Sequence, residues 1–156
     1  MFEEEKQSNN FIPDFNQSPW ILENHNDTIG FGQYLSKALA NEDILMLDGP
    51  LGAGKTTLVK GIAKGLSITE PITSPTFALA HHYLSGKRGL IHLDLYRLEN
   101  PLAANDLFFQ EEENATSIGA ILIIEWASRL SCNISKAYKL EIEYMPNNFR
   151  KIKLLS

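Results

Sequence analysis

Cysteine is nearly missing from this chain: Cys132 is the only one in 156 residues, so no internal disulfide can form. A lone thiol suits a reducing interior, and cytoplasm is the expected compartment. No run approaches the roughly 20 apolar residues that span a bilayer, so no membrane role is expected. The opening stretch Met1-Phe2-Glu3-Glu4-Glu5-Lys6 is acidic and polar, which fits neither a signal peptide nor an Arg-rich transit peptide. Dense positive charge is lacking as well. Of the net charge of −5, residues 1–26 hold −4 through Glu3, Glu4, Glu5, Asp14 and Glu23 against Lys6, and the remainder is nearly neutral. Tight binding to a phosphate backbone draws on clustered Lys and Arg, so any nucleic acid is expected to be held mainly by a partner.

Several motifs are also absent. There is no Asn-Lys-x-Asp, so guanine specificity has no support. His81, His82 and His92 have no cysteine or carboxylate at ligand spacing and read as ordinary hairpin residues. Leu84-Ser85-Gly86-Lys87 echoes the transporter ATPase signature but lacks its further glycine and the long helical insertion before it.

What is present is Gly49-Pro50-Leu51-Gly52-Ala53-Gly54-Lys55-Thr56-Thr57, which fits the phosphate-loop pattern G-x-x-x-x-G-K-[ST]. Ile44-Leu45-Met46-Leu47 precedes it as an apolar strand, and a helix-like run follows. Glycines let backbone N–H groups turn toward phosphate oxygens, and the next helix adds its positive dipole end. In such a loop Lys55 reaches the β- and γ-phosphates, and the Thr56 hydroxyl completes the shell of Mg²⁺. The chain is therefore expected to bind a nucleoside triphosphate.

The length suits one domain that buries about two thirds of its unfolded surface. Residues 1–18 are rich in Asn, Gln, Ser, Glu and Pro and are expected to lack stable structure, leaving 19–156 as a single phosphate-loop domain. Trp20-Ile21-Leu22 reads as a first strand. Asn26 or Asp27 can cap a helix to about residue 40, with Ile29, Tyr34, Leu35, Ala38 and Leu39 facing inward. The helix after the loop, about 55–66, places Leu58, Val59, Ile62 and Leu66 on one face. Strands are expected at 77–84 and 89–96 around Ser85-Gly86-Lys87-Arg88, and a short helix at about 101–110 opens on Pro101. Ala120-Ile121-Leu122-Ile123-Ile124 is apolar throughout, the mark of a strand covered on both faces. Strands at 139–144 and 149–155 flank Pro146-Asn147-Asn148. The pattern predicts an α/β fold, a three-layer sandwich of the P-loop NTPase type with a mixed sheet.

Two acids close strands. Asp94 follows Leu90-Ile91-His92-Leu93, and Glu125 follows the 120–124 run. An acid at the carboxyl end of a strand beside the loop strand sits where Mg²⁺ or its waters lie, and either could polarise the attacking water. Ser74-Pro75-Thr76 follows the loop by about twenty residues, where switch segments use a threonine that closes on Mg²⁺.

Together, the loop, Ser74-Pro75-Thr76-Phe77, His92-Leu93-Asp94-Leu95-Tyr96-Arg97-Leu98 and Ile124-Glu125-Trp126 resemble the bacterial TsaE (YjeE) ATPase family over roughly residues 20–155. The resemblance implies an ATPase that uses ATP and Mg²⁺ and works with the TsaD–TsaB pair in making threonylcarbamoyladenosine in tRNA, touching tRNA only indirectly. By match, Lys55 and Thr56 hold phosphate and Mg²⁺, Thr76 is the switch threonine, and Asp94 and Glu125 are the functional acids, with Glu125 favoured as a Mg²⁺ ligand. Trp126 is expected beside the site, and Thr28 and Arg150 fall near positions that approach the nucleotide. The chain departs from the family pattern in places. Ala127 stands where the family has proline, so the loop after Glu125 is expected to be freer. Segment 103–118 lacks a glycine-containing motif, and its acids Asp106 and Glu111 to Glu113 have no clear match. Two other classes remain open: a small-molecule phosphoryl-transfer kinase, for which only Arg97 and Arg129 could serve a lid, and a nucleotide-gated binding module without hydrolysis.

Overall fold

Alternation of apolar side chains along the strands and helical spacing between them produce a layered structure, seen in the computed structural model, which describes residues 18–75, 79–134 and 136–155. The elements in chain order are β1 (Trp20–Leu22), α1 (His25–Ala38), β2 (Ile44–Asp48), α2 (Lys55–Gly65), β3 (Ala80–Tyr83), β4 (Leu90–Asp94), α3 (Pro101–Ile118), β5 (Ile121–Glu125), β6 (Ala137–Tyr144) and β7 (Arg150–Leu155). The strands form one sheet in the order β1-β7-β6-β2-β5-β4-β3. Its middle, β6-β2-β5-β4, is parallel, while β3, β7 and β1 add antiparallel edges. The mixed sheet expected from the sequence is therefore present.

Successive strand residues point to opposite faces, and each face has its own core. Leu45, Leu47, Leu90, Ile121 and Ile123 pack with Phe31 and Leu35 of α1 and Leu58, Val59 and Ile62 of α2. On the other face Ile44, Ile91, Leu93, Leu122 and Ile124 pack against Phe108 and Ala115 of α3. This gives three layers. Every residue of β5 is buried, as its unbroken apolar run predicts.

Helices α1 and α2 touch closely at Gly61, where an added Cβ would lie 2.4 Å from the Ile29 carbonyl oxygen and 3.0 Å from Gly32 Cα. That approach fixes α2, and with it the helix start that follows the phosphate loop.

Three expectations change in detail. Helix α1 is capped by Asn24, whose side chain accepts from the Asp27 N–H, so it starts before Asn26. Its inward face is Thr28, Phe31, Gly32, Leu35 and Ser36; Ala38 is exposed, and Ile29 and Tyr34 are half-buried. The small Gly32 and Ser36 let the helix sit close to α2, which turns the face by about one position. Helix α3 runs to Ile118 rather than about 110. No breaker precedes Gly119, and Ala104, Phe108, Glu111 and Ala115 keep a helical stripe through the acidic run. Residues 77 and 78 of the expected third strand, and all but Ser18 of the extension at 1–18, lie outside the described residues.

Candidate active site

Parallel pairing gathers three strand ends. In register, Leu47 of β2 stands beside Glu125 of β5, and Glu125 stands beside Asp94 of β4. Beyond β2 the chain turns through residues 49–54 into α2, whose cap residue Gly54 adopts φ 108°, a left-handed conformation that a side chain would strain. No side chain caps this helix. The amides of Gly52, Gly54, Lys55, Thr56 and Thr57 find no acceptor among the described residues, although each of these residues lines the adjoining cleft. Donors left in this way at a helix start are an anion-binding arrangement.

The loop is braced from behind. Tyr144 donates its hydroxyl to the Leu51 carbonyl at 2.8 Å, and Arg150 donates Nε–H to the Ala53 carbonyl at 3.0 Å. The Arg150 guanidinium stacks 4.5 Å over the Tyr144 ring. Turning these carbonyls to the β6–β7 hairpin leaves the loop's amide side to the cleft. Lys55 is 7% exposed; its Nζ donates to the Gly49 carbonyl at 2.7 Å and lies 4.9 Å from the Trp126 ring centroid.

The cleft has a volume of about 290 Å³ and brings together Lys55, Thr56, Thr57, Ser74, Asp94 and Glu125. Tyr96 and Trp126, with ring centroids 4.8 Å apart, form an aromatic wall. Leu51, Gly52 and Gly54 line its loop side, while Gly49 and Ala53 serve through their carbonyls. Thr28 lies on the buried face of α1, and neither it nor Arg150 lines the cleft. Thr76 lies outside the described residues. The stretch after Glu125 is tied rather than free: Ala127–Arg129 is a 3₁₀ turn, and Arg129 donates to the Tyr96 carbonyl at 3.1 Å.

Asp94 is 6% exposed, and its carboxylate accepts the Tyr96 N–H at 2.9 Å. Burial pushes its pKa above the ordinary carboxylate value and the Glu125 charge adds to this, against the Tyr96 N–H, His92 and Lys55, which pull it down. A carboxyl that holds its proton more tightly folded than unfolded costs stability as pH rises through that window, and the full cost applies above the folded value. In metal-free and nucleotide-free protein, Asp94→Asn is therefore expected to melt higher than wild type at about pH 7, by roughly 2–4 °C. The gap should close as pH falls toward about 4. Thermal melts across that range check it; a lower midpoint for Asp94→Asn at neutral pH would contradict it.

Two histidines differ from their sequence reading. His92 is fully buried, with Nε2 2.9 Å from Glu125 Oε2, and His82 Nε2 lies 2.6 Å from Glu111 Oε2 on α3. Neither partner is near in sequence. Register supplies the first: His92 stands opposite Ile123, and Glu125, two residues on, projects from the same face. Glu111, which had no evident place, is thus a buried tie between α3 and β3.

The mixed sheet with its parallel centre, the loop after a central strand and the two strand-end carboxylates define a protein of the P-loop NTPase type. The family model for threonylcarbamoyl adenosine biosynthesis protein TsaE matches residues 22–152. A tRNA threonylcarbamoyladenosine biosynthesis protein TsaE from Nostoc sp. is 40% identical over 86% of this chain and 83% of its own length. Its counterpart from Aquifex aeolicus is 38% identical over 86% and 92%. The crystal structure of Bacillus subtilis YdiB superposes with a TM-score of 0.67 at 28% identity, over 87% of this chain and 82% of that one. The chain belongs to the TsaE family. Among the described residues, no helix is long and apolar enough to cross a membrane.

Proposed function

We propose that the protein binds and hydrolyses Mg-ATP in the cleft beside residues 49–57, in support of threonylcarbamoyladenosine formation in tRNA by a TsaD–TsaB pair. The observation that carries this reading is the run of loop amides without acceptors among the described residues, set beside a buried lysine and two carboxylates. The relatives' shared name supports the pathway. The donor set also suits magnesium. Among the described residues no three His, Cys, Asp or Glu side chains cluster as a complete metal cage, but Mg²⁺ needs only one or two carboxylates beside phosphate oxygens. Thr56 and Glu125 would hold the ion, which supplies charge neutralisation between the phosphates.

The rest follows from this chain's own side chains. Lys55 gives up the Gly49 carbonyl for a phosphate oxygen, and its buried ammonium gains from the low local dielectric. Glu125 stands on the strand next to the loop strand, and Asp94 stands one strand further out. That order favours Glu125 for the metal and Asp94 for the attacking water, and a raised pKa makes Asp94 a better proton acceptor than an ordinary aspartate. Thr76 is the proposed switch residue. The near-neutral composition beyond residue 26 supports tRNA contact through the partners rather than directly.

The test is phosphate release from Mg-ATP by the full chain, alone and with purified TsaD–TsaB. Slow release alone and faster release with the pair is expected. Phosphate transferred to a metabolite would instead mark a kinase, and ATP left intact in the full complex would mark a binding switch.

A further inference from the structure

His92 sits on the face of the sheet shared by Leu90, Ile121 and Ile123, with no exposed surface. Its Nε2 meets Glu125 Oε2 at 2.9 Å, and its Nδ1 has no partner among the described residues. A carboxylate offers only acceptors, so Nε2 is the nitrogen that carries the proton. The ring's single polar contact is therefore the Glu125 carboxylate.

Packing does not account for this residue. Leucine or methionine would fill the same apolar layer without stranding a ring nitrogen, and a buried polar atom without a partner is costly. What the imidazole supplies is direction. It fixes one carboxylate oxygen of a residue that lines the cleft, while the other, Oε1, accepts no hydrogen bond among the described residues and is not buried.

We infer that His92 is a positioning residue, holding the Glu125 carboxylate in the one orientation that offers its second oxygen to the metal of the bound nucleotide. This rests on the function proposed above. Histidine and carboxylate partners behind a metal ligand act by orienting it, and their loss costs about 10–100-fold in metal affinity. The sequence holds only a faint trace of the arrangement, a histidine two residues before Asp94, because its partner lies 33 positions further on.

The test compares full-length wild type with His92→Gln, His92→Asn and His92→Leu. Mn²⁺ uptake is followed by electron paramagnetic resonance with an ATP analogue that cannot be hydrolysed. Separately, the Mg²⁺ dependence of hydrolysis is resolved into maximal rate and metal midpoint. Glutamine places an N–H at the level of Nε2 and should bind Mn²⁺ close to wild type. Asparagine and leucine cannot reach Glu125 and should bind about tenfold or more weakly, with most of the rate recovered at saturating metal. Cooperative melting confirms the fold of each variant; should leucine fail to fold, glutamine against asparagine decides. Wild-type Mn²⁺ affinity in folded His92→Asn or His92→Leu overturns the inference, as does glutamine binding as poorly as asparagine. If wild type itself takes up no Mn²⁺ with the analogue, the proposed function falls first and this role with it.

Discussion

Lys55→Ala is expected to abolish ATP binding, or to weaken affinity and turnover together by at least about 100-fold. Among the described residues Lys55 is the one cationic side chain that lines the cleft, and it is already poised there on the Gly49 carbonyl against the Trp126 ring. Its removal leaves the backbone donors of the loop without the charge that anchors the outer phosphates. The fold should survive, because a nearly buried ammonium that makes no salt bridge among the described residues contributes little to stability. Trp126 offers a direct readout. Its indole lies 4.9 Å from Nζ, so a nucleotide that draws Lys55 away should change its emission in wild type and leave it unchanged in the variant. Calorimetric titration with Mg-ATP gives the affinity, and wild-type turnover in Lys55→Ala would remove the phosphate loop from the reaction.

The second large effect is expected at Glu125. Glu125→Gln should lower Mg²⁺-dependent hydrolysis by about 100–1000-fold while ATP still binds, because the amide keeps the shape and the His92 contact but loses the charge. Glutamine is a cleaner substitution than alanine. Glu125→Ala would strand the Nε2–H of a histidine with no exposed surface, at a cost of about 1–3 kcal/mol in the folded state. Alanine should therefore melt lower than glutamine, and melts of the two separate packing from chemistry. If Glu125→Gln hydrolysed normally while Asp94→Asn did not, the roles of the two acids would be exchanged.

Residues 44–57 were readable in the sequence because the parts of a phosphate-loop motif are contiguous: strand, glycine turn, lysine and helix start. Strand β5 was readable because burial on both faces demands an unbroken apolar run. The two acids were visible because each ends such a strand. Pairwise facts fared differently. The contacts from His92 to Glu125 and from His82 to Glu111 arise from strand register and helix packing between segments 33 and 29 residues apart, which no local pattern encodes. Helix α3 was underestimated because its acidic stretch looks like a solvated run, whereas Glu111 is turned inward. Arg150 was placed near the nucleotide by resemblance; it grips the back of the loop through Ala53 and stacks on Tyr144.

That grip has a temporal side. The carbonyls of Leu51 and Ala53 are held by residues 93 and 97 positions later in the chain. Contacts of such long separation close late, after their loop-closure entropy has been met. During translation the glycine turn would leave the ribosome long before Tyr144 and Arg150 arrive to set it. A nascent chain would thus lack a fully braced glycine turn until its final hairpin had zipped onto the sheet.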